Sequence, residues 1–148
     1  MINSIIEAIA IALNGEFGDE YKTYTEEQKQ GLTEPCFFIS CINPTHELFF
    51  WKRYKRENMF VIQYFPEDHE QERLECNAVA ERLYSALEWI TVKYDSETGD
   101  PVMGTKMHYS IEDGILSFFV NYNLFVRKEL GGDPMEDLTI NQIEKAVN

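Results

Sequence analysis

Asp113 and Gly114 stand between two runs of alternating polarity, and nothing else in the 148-residue sequence restricts the fold as tightly. Asp-Gly is favoured in two-residue hairpin turns, where both central residues take positive φ. After it, Leu116, Phe118, Val120, Tyr122, Leu124 and Val126 hold the even positions of a run from Ile115 to about Arg127. A two-residue turn pairs Ile111 with Leu116, Tyr109 with Phe118, Met107 with Val120, and Thr105 with Tyr122. Those pairs share the apolar face. A slip of one residue would carry the whole set to the other face, so turn chemistry and binary pattern specify one register. The first strand is expected to follow the turn Thr98-Gly99-Asp100-Pro101 and to run unbroken to Ile111.

The other elements are read in the same way. A helix is predicted from Ser4 to Asn14 or a little beyond, with Ser4 and Glu7 as a capping box. Ile5, Ile6, Ile9, Leu13 and Phe17 form its stripe, and Gly15 or Gly18 ends it. An acidic stretch from Glu16 to Glu34 holds a short strand near Tyr21–Thr25. Cys36 to Ile42 is apolar on both faces, which suits a strand that is central or covered twice; Asn43-Pro44 is read as its break. Met59 to Phe65 makes another strand, stopped by Pro66. A long helix is predicted from about Asp68 to Ile90. Acidic residues fill its first turns, and Leu74, Val79, Leu83, Ala86, Leu87 and Ile90 form its buried stripe. Gly131-Gly132-Asp133-Pro134 ends the body, and Thr139 and Gln142 cap a short terminal helix with Ile140, Ile143 and Val147 on one side.

A chain of this length makes one domain that buries about two thirds of its unfolded surface. Twenty-six Asp and Glu against 13 Lys and Arg give a net charge of −13. Such a body is a poor general binder of nucleic acid or of anionic membranes, and it favours protein partners with basic patches. No apolar run is long enough to span a bilayer. The three cysteines cannot complete a disulfide framework and are read as reduced, mostly buried thiols of a cytoplasmic compartment; Cys36 and Cys41 would point to opposite faces of their strand.

Catalytic chemistry finds no local support. His46, His69 and His108 lack a His or Cys neighbour at metal-ligand spacing. There is no nucleophile elbow, Walker loop or dinucleotide fingerprint. No metal and no cofactor are expected. The one local departure from the acidic background is Trp51-Lys52-Arg53-Tyr54-Lys55-Arg56, which holds four of the 13 basic residues. It reads as a solvated basic strand edge that deters edge aggregation, or as a dock for an acidic surface, including that of a second copy of the chain; a nucleic-acid patch is a third reading, which the net charge disfavours.

The order of several segments is specific. Tyr21-Lys22-Thr23-Tyr24 follows the first helix, and Gln30-Gly31-Leu32-Thr33-Glu34-Pro35-Cys36-Phe37-Phe38-Ile39 comes next. Arg53-Tyr54-Lys55-Arg56 precedes a strand closing on Tyr64-Phe65-Pro66. Ala80-Glu81-Arg82-Leu83-Tyr84, Met103-Gly104-Thr105-Lys106-Met107 and Asp113-Gly114-Ile115-Leu116 complete the series. Together these resemble the small tail terminator family of phages and prophages of Gram-positive bacteria. The resemblance covers residues 1–130 as one domain and leaves 131–148 as a C-terminal extension with a short helix.

That resemblance implies an α+β fold: a mixed, mainly antiparallel sheet with the N-terminal helix and one long central helix packed on one face. It implies a structural protein, not an enzyme, that caps the tail tube and forms the head–tail joining surface, usually as a hexameric ring. Its partners would be copies of itself, the tail tube protein and a head-completion or connector protein. Its place would be the head-proximal end of the virion tail, after assembly in the host cytoplasm. Surplus acid lining the ring would let DNA pass without sticking. Two other readings stand beside it: another head–tail connector or tail-completion protein, and a small-ligand-binding α+β domain, which needs a deep pocket with convergent polar groups.

Overall fold

A computed structural model of the chain describes residues 1–25, 32–93, 98–128 and 138–140, with 127–128 and 138–140 described by backbone alone. The elements are α1 (Ile2–Phe17), β1 (Lys22–Tyr24), β2 (Cys36–Phe50), β3 (Arg53–Phe65), α2 (Glu72–Ala86), β4 (Trp89–Val92), β5 (Asp100–Met103), β6 (Thr105–Glu112), β7 (Ile115–Lys128) and β8 (Leu138–Ile140). The main sheet runs β1-β2-β3-β7-β6, with β8 also on β7. Among the described strands only β1 on β2 is parallel; the sheet is thus mixed and mainly antiparallel, and the fold is α+β. Gln30, Gly31, the Gly131–Pro134 tract and the expected helix beyond Ile140 lie outside the described residues.

The Asp113-Gly114 turn forms as the pattern requires, with φ of 52° and 77°. Ile111 faces Leu116 and Tyr109 faces Phe118. Beyond them the expected register fails by one residue, because Thr105 pairs with Asn121 rather than Tyr122 and the shift falls between Thr105 and His108. Lys106, at φ 54°, supplies the extra residue of the bulge. The long first strand is also divided at Gly104. Its amide donates to Glu88 O at 2.7 Å, and β5 leaves the main sheet to pair with β4 in a separate two-stranded ribbon.

Pleat alternation sets one face of the sheet against the helices. Phe37, Tyr64, Leu116 and Ile111 form one row across β2, β3, β7 and β6; Ile39, Ile62, Phe118 and Tyr109 form the next. Onto this face α1 packs Ile5, Ala8, Ile9, Leu13 and Phe17, and α2 packs Cys76, Val79, Ala80 and Leu83, all buried in one core. Ile90, Val92 and Val102 of the β4–β5 ribbon join the same core. On the opposite face Phe38, Ile42, Met59, Val61 and Phe119 are half-buried, so β2 is not covered on both sides by the described elements.

Four local expectations are corrected. α1 already begins at Ile2, so Ser4 lies inside the first turn and the Ser4–Glu7 capping box does not form; the Ser4 and Ile5 amides both donate to Met1 O at 3.1 Å. Gly18, at φ 88°, ends the helix. The second helix is shorter than predicted, because Trp89-Ile90-Thr91-Val92 switches to a two-residue period and pairs with β5. Its inward stripe starts at Cys76, and Leu74 is exposed. Asn43-Pro44 does not break β2. Asn43 takes φ 47° and a bulge there lets the strand continue to Phe50. Finally, Leu138–Ile140 pairs with Val126–Lys128, so Thr139 sits in a strand rather than at a helix cap.

Candidate interaction surface

Because β2 passes through its bulge, the β2–β3 hairpin continues as an arm of the sheet, with β7 alongside β3 as far as Arg53. From Asn43 to Phe50 every residue of β2 is exposed, a length of roughly 25 Å by the usual rise per strand residue. Trp51 and Lys52 make its two-residue turn between Phe50 and Arg53. Leu48, Phe49, Phe50 and Trp51 place four large apolar side chains at the tip, Trp51 being 72% exposed. Phe49 reaches back to Phe125 on β7, with ring centroids 5.0 Å apart.

Trp51 takes φ 54°. This is the left-handed region, where a bulky side chain is disfavoured and glycine or asparagine is the ordinary choice. The indole is thus held in a strained backbone position while presented to solvent. Lys52 Nζ lies 4.6 Å from its ring centroid, a cation–π contact.

The basic cluster does not make one patch. Side chains alternate along β3, so Arg53 and Lys55 share the uncovered face with Glu57 and Met59, while Tyr54 and Arg56 share the helix-covered face with Asn58 and Phe60. Lys55 pairs with Glu57 at 3.1 Å. The Tyr54 ring stacks on His46 at 4.7 Å. Arg56 turns inward, its Nε buried without a hydrogen-bond partner among the described residues. Nor is β3 an edge: it pairs with β2 on one side and β7 on the other from Arg53 onward. The reading of the cluster as a protective strand edge therefore fails. The sequence drew attention to Trp51–Arg56 but missed Leu48, Phe49 and Phe50; an apolar run enclosed by charged residues was their available signal.

A second exposed apolar region lies on the helix layer. Ala8, Ile11, Ala12, Gly15, Glu16, Ala86, Trp89, Ile90 and Thr91 line a groove of about 350 Å³ between α1 and β4. Small side chains make its floor, and Ile11 (60% exposed) and Trp89 (55%) stand at its walls. A second groove, of about 400 Å³, on the other flank of α1 is lined by Asn3, Ile6, Glu7, Ala10 and Thr25. Neither holds a nucleophile beside a base, and among the described residues no three His, Cys, Asp or Glu gather as a metal site.

The thiols are free. Burial pushes the Cys36 and Cys76 thiols up to about 11, with nearby Glu34 and Glu75 respectively adding to the effect. Burial raises Cys41 also, against the opposing charge of Arg56. Such thiols are poor nucleophiles at neutral pH.

Residues 4–133 match the model of the family described as Phage tail terminator protein. No curated protein matches the chain. The matched span takes in α1, α2, the β4–β5 ribbon, the β2–β3 arm with its tip and β7. The chain therefore belongs to the phage tail terminator family and is a structural component of the viral tail.

Proposed function

We propose that this protein caps the head-proximal end of the tail tube. It ends tube polymerisation and presents the surface that meets the head. It does so as a homo-oligomeric ring, most simply of six copies, assembled in the host cytoplasm, with the tail tube protein on one side and a head-completion or connector protein on the other. The observation that carries this reading is the β2–β3 arm. It projects four exposed apolar side chains and a cationic base from a body of net charge −13. An isolated chain gains nothing from such a tip, and apolar anchors with a polar rim are what protein interfaces use.

The working residues are Trp51, Lys52, Arg53 and Lys55, joined by Leu48, Phe49 and Phe50. Tyr54 and Arg56 face the other way and hold the arm. Surplus carboxylates facing the ring channel would let DNA pass by charge repulsion. Residues 131–148 act as an extension to this domain. Light scattering across protein concentration and salt tests the ring, and growth of purified tail tubes with and without the protein tests capping. Tubes that stop at a fixed end when it is added support the proposal. Tubes that grow on unchanged, with the protein bound instead to the head-side portal complex, overturn capping in favour of a head-side connector.

A further inference from the structure

Two features of the chain carry a conformational cost that nothing among the described residues explains. The first is Trp51, an exposed indole held at φ 54°. The second is Gly15, inside α1, where glycine weakens a helix relative to alanine. A Cβ there would meet nothing within 4 Å. Among the described residues, no neighbour requires Gly15 to be small. Yet Gly15, with Ala8, Ala12 and Ala86, keeps the floor of the α1–β4 groove open.

We infer that the arm tip of one copy seats in the α1–β4 groove of the next, Trp51 entering the hollow over Gly15. This rests on the ring proposed above and names its contact. Charge supports a second copy as the occupant. The tip brings Lys52 and Arg53, with Lys55 behind them paired to Glu57, toward a body of net charge −13; at the groove Glu88 adjoins Trp89, and Glu16 is held by Arg82 at 3.0 Å. The apolar surfaces also match. Among the described residues, the large exposed apolar side chains are the four of the tip, then Ile11, Trp89 and its strand partner Met103 beside the groove, and Leu74 apart. The tip is exposed, so it does not fill its own groove. Donor and acceptor are different patches, and a contact of that kind repeats head to tail and closes into a ring when the rotation permits.

The test is a cross-link between two singly substituted full-length chains, Leu48→Cys and Ile11→Cys, mixed and treated with a short bis-maleimide. Wild-type chains treated alike control for the native thiols. A covalent dimer that forms in the mixture, and in neither variant alone, is the expected result. In parallel Gly15→Leu should weaken self-association at least tenfold while leaving the melting temperature of the monomer unlowered. Dimers of Leu48→Cys with itself, cross-links to the tube protein instead, rings that form without the cross-link, or full association by Gly15→Leu would each overturn the contact and leave the ring standing. Absence of any self-association, alone or on tube ends, would overturn both.

Discussion

The Tyr64 hydroxyl donates to Glu75 Oε2 at 2.5 Å, joining the end of β3 to the first turns of α2. The same carboxylate accepts the amides of Glu67 at 2.9 Å and Asp68 at 3.0 Å. One side chain thus organises the connection that sets the angle of α2 on the sheet. Burial first, and then the Glu75 bond and charge, hold the Tyr64 phenol above its ordinary range, so it remains a donor. Glu75→Ala strands the buried hydroxyl and should cost about 1–3 kcal/mol. Tyr64→Phe leaves Glu75 its two amides and should cost about 1 kcal/mol. Urea unfolding of both variants checks the order. Equal losses would mean that the Tyr64–Glu75 bond, which both variants lose, carries the effect, and that neither the stranded hydroxyl nor the amide bonds add to it.

Two glycines should respond in opposite directions to alanine. At Gly104 a Cβ would lie 2.6 Å from Leu87 O, 2.8 Å from Met107 Cε and 2.8 Å from Val120 Cγ2. Leu87 O also accepts the Tyr122 hydroxyl at 2.6 Å, so the carbonyl is not free to withdraw. Gly104→Ala should destabilise by about 1–3 kcal/mol, as overpacked cores do. Gly15→Ala meets nothing within 4 Å and should instead stabilise the helix, by about 0.5–1 kcal/mol. Calorimetry on the two variants reads the sign directly.

His69 lies between two carboxylates, with Nδ1 2.9 Å from Glu72 Oε2 and Nε2 2.8 Å from Glu34 Oε1. The hydrogen bond to Glu72, then that to Glu34, raises its pKa above the ordinary 6.5. A raised folded-state value means that the protonated imidazole favours the folded protein. Its contribution is complete below about pH 6.5 and is lost as pH rises through the higher folded value. The side chain is exposed, so the effect on stability is small; the titration itself is the readout. NMR of the His69 ring should give a midpoint above 6.5, and Glu72→Gln should bring it down. Gly114→Ala, at some cost to a turn that holds φ 77°, should do likewise, because its Cβ would press on the Glu72 carboxylate. A midpoint indifferent to Glu72 would show that the pair does not form in solution.

Parts of this molecule were legible where two independent signals coincided. The β6–β7 turn had both Asp-Gly chemistry and an alternating pattern, and its near-turn pairs formed as read. The bulge at Lys106 had no such signal, because a lysine at φ 54° leaves no mark in composition. Helix α2 was overextended because Leu87 and Ile90 fit its period; pairing with β5 decided otherwise. The arm was hidden by Asn43-Pro44. Pro44 reads as a stop, yet pairing of β2 with β1 ends at Phe38, so no ladder bond to β1 is lost at Pro44. The basic cluster was visible as composition, whereas its division between two faces depended on the strand register. The groove over Gly15 joins residues from two distant segments, 8–16 and 86–91, and could not be read from either alone.

Trp51 offers a test that separates stability from assembly. Its left-handed φ of 54° strains the turn, at a cost of about 1–3 kcal/mol for a non-glycine residue. Glycine adopts that conformation freely, though it also adds freedom to the unfolded chain. Trp51→Gly should therefore leave stability unchanged or raise it by up to about 1 kcal/mol, even though a large side chain has been removed. The exposed indole has little folded-state packing to lose beyond its cation–π contact with Lys52. Self-association should fall sharply, since a single buried aromatic anchor commonly contributes 2 kcal/mol or more, roughly a thirtyfold change in affinity. Thermal unfolding and sedimentation on one preparation read both quantities. A variant that melts earlier while associating normally would make Trp51 a structural residue of the turn and remove the tip from the interface.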